Sequence, residues 1–314
     1  MNSIRPIVAI TMGDPAGIGP EIAAKALAHS EMYAICRPVI VGDAQAIRDA
    51  SSIAGMDFSI HAVTSISECD FQYGTIDVYD LKNVNMAKLR KGEVSKMAGR
   101  AAFESVRETI RLAMDSKVDA TVTGPLNKEA MNLAGYHFSG HTEIYAHFTG
   151  TRDYAMMLVC EGLRVVHVST HVSLRRACDE VKQDRVLKVI ELTDEACKNF
   201  EIASPRIGVA GLNPHAGENG MFGEEEITEI GPAVARAVKA GIRAEGPLPP
   251  DSIFSKANGG MYDAVVAMYH DQGHIPLKLK GFRWDERQKK WTSVRGVNIT
   301  LGLPIIRTSV DHGI

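Results

Sequence analysis

The stretch Pro6–Glu21, PIVAITMGDPAGIGPE, decides the fold class. Its first part, Pro6–Thr11, is an apolar run of the kind found in a buried strand. The run breaks into a loop with glycines at 13, 17 and 19, and Pro20 then stands at the first position of a helix predicted over Pro20–His29. Strand, glycine loop and helix in that order are the repeating unit of an α/β protein. The glycines follow the pattern G-D-x-x-G-x-G-P-E, with no G-x-G-x-x-G between strand and helix, so a dinucleotide, if bound, is not held in the usual Rossmann manner.

The same alternation continues outward from this unit. Arg37–Gly42 reads as a strand, followed by a helix that Gly55 ends. Val94–Ser116 has apolar positions at helical spacing and few breakers, which predicts one long helix. Ala120–Gly124 reads as a strand, with Asn127 capping the helix after it. Tyr154–Cys160 and Leu163–Thr170 are β-rich runs joined closely enough to form a hairpin. Helices are expected over Val172–Asp179 and Asp184–Phe200, a strand over Arg206–Gly211, a helix over Glu224–Gly241 and a strand over Ala264–Tyr269. The charged stretch Phe282–Val294 holds both tryptophans, Trp284 and Trp291, and reads as a protruding hairpin turning near Glu286–Lys289. A contact with a partner subunit and a solvated excursion are both open to it. No internal repeat or low-complexity linker marks a domain boundary; the best placement is near Asn127, with a return after Lys278.

Bulk properties exclude several classes. A chain of 314 residues suits two lobes. A net charge of -3 without any basic run argues against nucleic acid. No apolar stretch reaches the roughly 20 residues of a membrane helix, and Met1–Pro6 lacks the order of a signal peptide. The five cysteines, without a C-x-x-C pair, read as reduced thiols of a cytoplasmic protein.

Chemistry-bearing residues concentrate after the strands: Gly13-Asp14 after the first, Gly124–Lys128, Thr170-His171, Asn213-Pro214-His215 and His270-Asp271. In open α/β sheets ligands bind beyond the carboxyl ends of strands. For His29, His61, His137, His147 and His167 the plain reading is a surface or satisfied core histidine. His171, His215 and His270 at three separate strand ends reinforce one another as ligands of a divalent metal, with Asp271 beside them to orient a ligand or join it. The plain reading of that trio is a hydrogen-bonded loop network without metal. Gly140-His141-Thr142-Glu143 opens a helical run and suits an anion. Lys128, Lys278, Arg295 and Arg307 stand beside Gly, Pro or Asn turns, and Arg307 follows an apolar lead-in that can carry its guanidinium inward.

Taken together, ITMGDPAGIGPE at Ile10–Glu21, TGPLNKEA at Thr123–Ala130, GHTE at Gly140–Glu143, STH at Ser169–His171, LNPHAGE at Leu212–Glu218, MYHDQG at Met268–Gly273 and RGVNITLGLPIIRTSVDHG at Arg295–Gly313 resemble the 4-hydroxythreonine-4-phosphate dehydrogenase family of vitamin B6 biosynthesis. The resemblance spans the whole chain. It implies a non-Rossmann α/β fold like that of isocitrate and isopropylmalate dehydrogenases, with two α/β/α lobes and a central cleft. It assigns 1–127 with 279–314 to a cofactor-side domain, and 128–278 to a domain for metal, substrate and dimerisation. It also implies a homodimer whose metal site is completed across the interface, with His171, His215 and His270 as ligands and His270 given by the partner.

The same resemblance makes His141, Thr142, Lys278, Asn298 and Arg307 substrate contacts, and Asp251, Asp271 and Lys278 catalytic groups. Gly13, Asp14, Asp311, His312 and Gly313 become the cofactor contacts. The cofactors implied are NAD and a divalent metal (zinc, magnesium or cobalt), for oxidation and decarboxylation of a phosphorylated four-carbon hydroxy acid. TRDYAMML at Thr151–Leu158 and HDQGHIPLKL at His270–Leu279 look more like the subgroup acting on D-threonate or D-erythronate 4-phosphate, which belongs to sugar-acid catabolism. Two features depart from the family: the 282–294 excursion is longer than usual, and family chains continue past DHG with a small-residue loop and a final helix. The competing expectations are a non-redox hydrolase or lyase using the three histidines, and a binding protein with a degenerate site.

Overall fold

The structure, a computed structural model, describes residues 5–310; the cofactor calls at Asp311, His312 and Gly313 lie outside them. The chain divides into two compact units, one running to Arg152 and resuming at Leu303, the other Asp153–Gly302.

In the first unit the strands run in the order Ser59–Val63, Thr75–Asp80, Arg37–Gly42, Ile7–Thr11, Ala120–Thr123, Ile306–Val310, all parallel. Strands covered on both faces must be apolar throughout, and Val39, Ile40 and Val41 are wholly buried. The long helix forms at Lys96–Met114 because Ser95 accepts from the Ala98 amide and buried positions recur at helical spacing. Gly99 on that helix lets the helix Lys128–Leu133 lie against it, since a Cβ there would overlap the Ala130 carbonyl. Asn127 caps this second helix as expected, its side chain accepting from the Ala130 amide.

In the second unit Val297–Leu301 pairs antiparallel with Ala155–Cys160, which forms the expected hairpin with Leu163–His167. Ala264–Ala267 lies parallel between Leu163–His167 and Ile207–Ala210, and Ala244–Leu248 follows at the edge. The core here packs Val166, Val168, Ile190, Val209, Val266 and Met268. The hairpin Phe282–Asp285 with Lys290–Val294 forms as read from the sequence.

Several expectations need correction. The boundaries near 127 and 278 fall inside the units, because the helices Lys128–Leu133 and His141–Thr149 pack on the long helix. At the other end, strand pairing with Ala155–Cys160 keeps Val297–Leu301 in the second unit. The helix expected over Glu224–Gly241 starts as a π-turn, Glu226–Ile230, before the α-helix Gly231–Lys239. The reading assigned nothing between Gly55 and Val94, yet strands form at Ser59–Val63 and Thr75–Asp80. The first of them closes the sheet at its edge, where polar positions alternate with apolar ones. His270–Gly281 is a helix that Gly273 and Pro276 disguise in the sequence.

Candidate active site

In the second unit the loops after Leu163–His167, Ala264–Ala267 and Ile207–Ala210 leave neighbouring parallel strands, and they carry His171, His270 and His215 respectively. Hydrogen bonds tie these loops together. Ser169 donates its hydroxyl to the Met268 carbonyl at 3.0 Å. Gln272 accepts from the Met268 amide at 2.7 Å and donates to the Gly211 carbonyl at 2.8 Å, so one side chain spans the second and third loops.

His171 and His270 come together, with ring centroids 5.7 Å apart. The Nδ1 of His270 lies 2.7 Å from Asp271 Oδ1, and the Nδ1 of His215 lies 3.1 Å from Glu218 Oε1. A carboxylate at Nδ1 fixes the tautomer and leaves Nε2 as the ligand atom, the usual arrangement behind metal-bound histidine. The bond from His270 also holds the Asp271 carboxyl below its ordinary range. The donor chemistry thus fits a divalent cation, with His171, His215 and His270 as the residues to hold it. One chain does not complete the set: among the described residues the three histidines do not form a group with all ligand atoms within 4.8 Å. His61, Asp70 and Asp77 do form such a group in the first unit. There Asp77 is spent on the Asp70 and Phe71 amides and on His61 Nδ1, which explains its burial without an ion.

The loop of His215 is unusual backbone. Residues His215, Ala216, Gly217, Glu218 and Asn219 all have φ between 45° and 79°, a conformation that opposes side chains at every step. Buried Glu226 holds it: its carboxylate accepts from the Leu212 and Asn213 amides, both at 2.7 Å, and from Asn213 Nδ2 at 2.9 Å. Strain of this order persists where surrounding structure over-determines it, and it gathers at functional sites.

His270, His274 and Lys278 are spaced by four along the helix His270–Gly281 and so share one face. Lys278 Nζ sits 5.6 Å over the Phe282 ring. Asn298, half-buried, donates from Nδ2 to Met156 Sδ at 3.0 Å. Asp251 is exposed in the first turn of Pro250–Asn258, with no hydrogen bond or ion pair to the histidines among the described residues. Reading the sequence missed Gln272, His274 and Glu226, and took His167, which is buried at 1% exposure, for a surface or core histidine. His274 and Gln272 lay inside the quoted MYHDQG and HDQGHIPLKL strings, while nothing local marks Glu226 among its acidic neighbours.

The first unit holds Arg307 at 3% exposure. Its Nη2 donates to Thr123 Oγ1 at 2.8 Å and its guanidinium lies 5.6 Å from the Tyr145 ring centroid. Burial lowers its pKa to about 10, so it stays charged at neutral pH. Burial, then the Arg307 charge, holds His141 at about 3, so this imidazole is neutral. Thr142 follows in the first turn of His141–Thr149. At the other expected ligand loop, Gly13 and Asp14 serve the protein itself. A Cβ on Gly13 would overlap the Pro125 carbonyl, while Asp14 accepts from the Ala16 amide at 2.8 Å and donates its own amide to Pro125 at 2.9 Å. Burial pushes the Asp14 carboxyl up. These contacts shape the loop after the first strand around the Pro125 carbonyl.

An α/β scaffold whose second unit carries histidines at adjacent strand ends, and whose first unit buries an arginine, defines a class: small-molecule enzymes that handle anionic substrates. Residues 34–314 match the family described as pyridoxal phosphate biosynthetic protein PdxA, and the chain belongs to that family. It is 46% identical over 314 residues to the D-threonate 4-phosphate dehydrogenase of Cupriavidus necator, covering 100% of this chain and 91% of that one. A solved 4-hydroxythreonine-4-phosphate dehydrogenase from Klebsiella pneumoniae superposes with a TM-score of 0.88 at 46% identity, covering 100% of this chain and 91% of that chain. A terephthalate 1,2-cis-dihydrodiol dehydrogenase from Burkholderia xenovorans superposes with a TM-score of 0.67 at 32% identity, covering 99% and 90%. With dehydrogenases as its relatives, the chain is an oxidoreductase acting on a CH–OH group, and the hydrolase or lyase expectation falls.

Proposed function

We propose that this protein oxidises and decarboxylates a 4-phosphorylated four-carbon hydroxy acid, with D-threonate 4-phosphate or D-erythronate 4-phosphate preferred over 4-hydroxy-L-threonine 4-phosphate. The observation that carries the reading is the set of three strand-end histidines, two of them pinned at Nδ1 by carboxylates and their loops tied by Ser169 and Gln272. The name of the Cupriavidus relative favours the sugar acid.

A divalent cation (zinc, magnesium or cobalt) on His171, His215 and His270 supplies Lewis acidity toward a hydroxyl and the carbonyl that replaces it. Completion of the set across a homodimer interface accounts for the failure of one chain to gather all three ligands. Asp271 keeps the His270 ring aimed. Arg307 and Lys278 bring fixed positive charge to the phosphate and carboxylate ends, which orients the carbon to be oxidised. His141, neutral at working pH, with Thr142 and Asn298 contributes hydrogen bonds without adding charge. Asp251 and Asp271 are the carboxylates available to take the hydroxyl proton.

The chemistry balances as substrate plus oxidised nicotinamide giving dihydroxyacetone phosphate, carbon dioxide and reduced nicotinamide. Hydride leaves C3, its hydroxyl proton is released, and the ketone β to the carboxylate lets carbon dioxide depart as a proton returns to C2. NAD is the acceptor proposed, in a cytoplasmic setting.

Absorbance at the reduced nicotinamide band tests this, using metal-loaded protein, NAD and each of the three acids in separate cuvettes. Reduction with the sugar acids is expected. Reduction with the amino acid alone would move the enzyme to vitamin B6 synthesis, and silence with all three, with NADP also tried, would sink the reading.

A further inference from the structure

Beneath His270 lies a layer of imidazoles that the proposed metal set does not use. His274, four residues on and 7% exposed, stacks on His270 with ring centroids 3.6 Å apart and planes 13° from parallel. Its Nδ1 donates to the His270 carbonyl at 2.9 Å, which locks His274 to the first turn of the helix. Behind it, His167 is 1% exposed with its ring 4.7 Å from His274. His167 donates from Nδ1 to the Met156 carbonyl at 3.3 Å, and its buried Nε2 has no hydrogen-bond partner. That nitrogen presses on Gly273, where a Cβ would overlap it, so the helix turn sits directly on the His167 ring.

We infer that His274, seated on His167, is the positioning residue that fixes the plane of the His270 imidazole. A histidine ring retains rotation about its terminal torsion unless something restrains it. Asp271 restrains His270 at one edge, through Nδ1. His274 restrains it across a face. An edge and a face together define the direction of Nε2, and ligands need this order of preorganisation. The stacked face does the restraining, and the Nδ1 bond to the His270 carbonyl holds the supporting ring in register with the residue it supports.

This rests on the reading of His270 as a metal ligand, so the test separates the two. Zinc affinity is measured by chelator competition, and the visible spectrum of the cobalt-substituted protein is recorded, for wild type, His270→Ala, His274→Ala and His274→Phe. Thermal unfolding is followed on each metal-free protein. The expected result is a loss of zinc affinity of about 10–100-fold in His274→Ala, the range for residues that orient a ligand. Its cobalt spectrum should also alter, and His274→Phe, which keeps the stacked face, should recover most of both. Unchanged affinity and spectrum in His274→Ala and His274→Phe, with only a lower unfolding temperature, would make His274 core filling and overturn the inference. Wild-type affinity in His270→Ala would overturn the ligand reading itself, and the positioning role with it.

Discussion

Arg307 is the sharpest case of a residue whose surroundings set its role. A guanidinium at 3% exposure, touching Thr123 and the face of Tyr145, has been taken out of water at a cost that its partners must offset. Arg307→Lys keeps the charge but loses the planar fork. It is expected to lower kcat/KM by about 10–100-fold, the worth of a charge-assisted hydrogen bond, mostly through KM. Steady-state kinetics with the preferred acid check this, and a change below threefold would remove Arg307 from the substrate contacts. His141 and His167, both held at about 3 against an ordinary 6.5, make a prediction about pH. Between those values the unfolded chain binds protons that the folded one refuses, so stability is complete above about 6.5 and is lost as pH falls through the window. Urea unfolding from pH 7.5 to 5 should show the decline, and His167→Asn should make it shallower while His141 keeps its share; an unchanged slope would count against burial as the cause.

At the scale of elements, glycines and caps decide geometry. Gly217 has φ +79° in the left-handed run and a Cβ there would stand 2.7 Å from Glu226 Oε2. Gly217→Ala should therefore cost about 1–2 kcal/mol in stability from the backbone alone and weaken metal uptake by shifting His215. Denaturant titration together with the chelator assay measures both, and normal uptake would free His215 from the metal set. Gly99→Ala acts on packing instead, wedging the long helix away from Ala130; the expected cost is about 1–3 kcal/mol, seen as a lower denaturation midpoint with activity per folded molecule preserved. Elements with strong local signals were legible: Arg37–Gly42 and the Asn127 cap fall where the sequence puts them. The helix His270–Gly281 was not, because Gly273 and Pro276 are poor helix formers and burial against the sheet overrides their propensity.

Across the whole molecule, the two tryptophans offer a reporter. Both stand on the protruding hairpin, Trp284 at 50% and Trp291 at 51% exposure, edge to face 5.3 Å apart. Intrinsic tryptophan emission of the dilute protein should be red-shifted and readily quenched by acrylamide. Emission already blue at the lowest measurable concentration would mean that a partner covers the hairpin. Among the described residues no helix is long and apolar enough to cross a membrane, in line with the composition.

The sequence by itself determined the α/β class, most of the parallel strands and the three strand-end histidines, since apolar runs, glycine loops and caps are local and act through backbone propensity. The paired His171 and His270 rings, the Gln272 tie, the Glu226 grip on the left-handed turn and the His167–His274 layer were decided by the tertiary structure alone. Each depends on which strands become neighbours, and strand order follows from how the helices cover the sheet, a global packing outcome that no local spacing records.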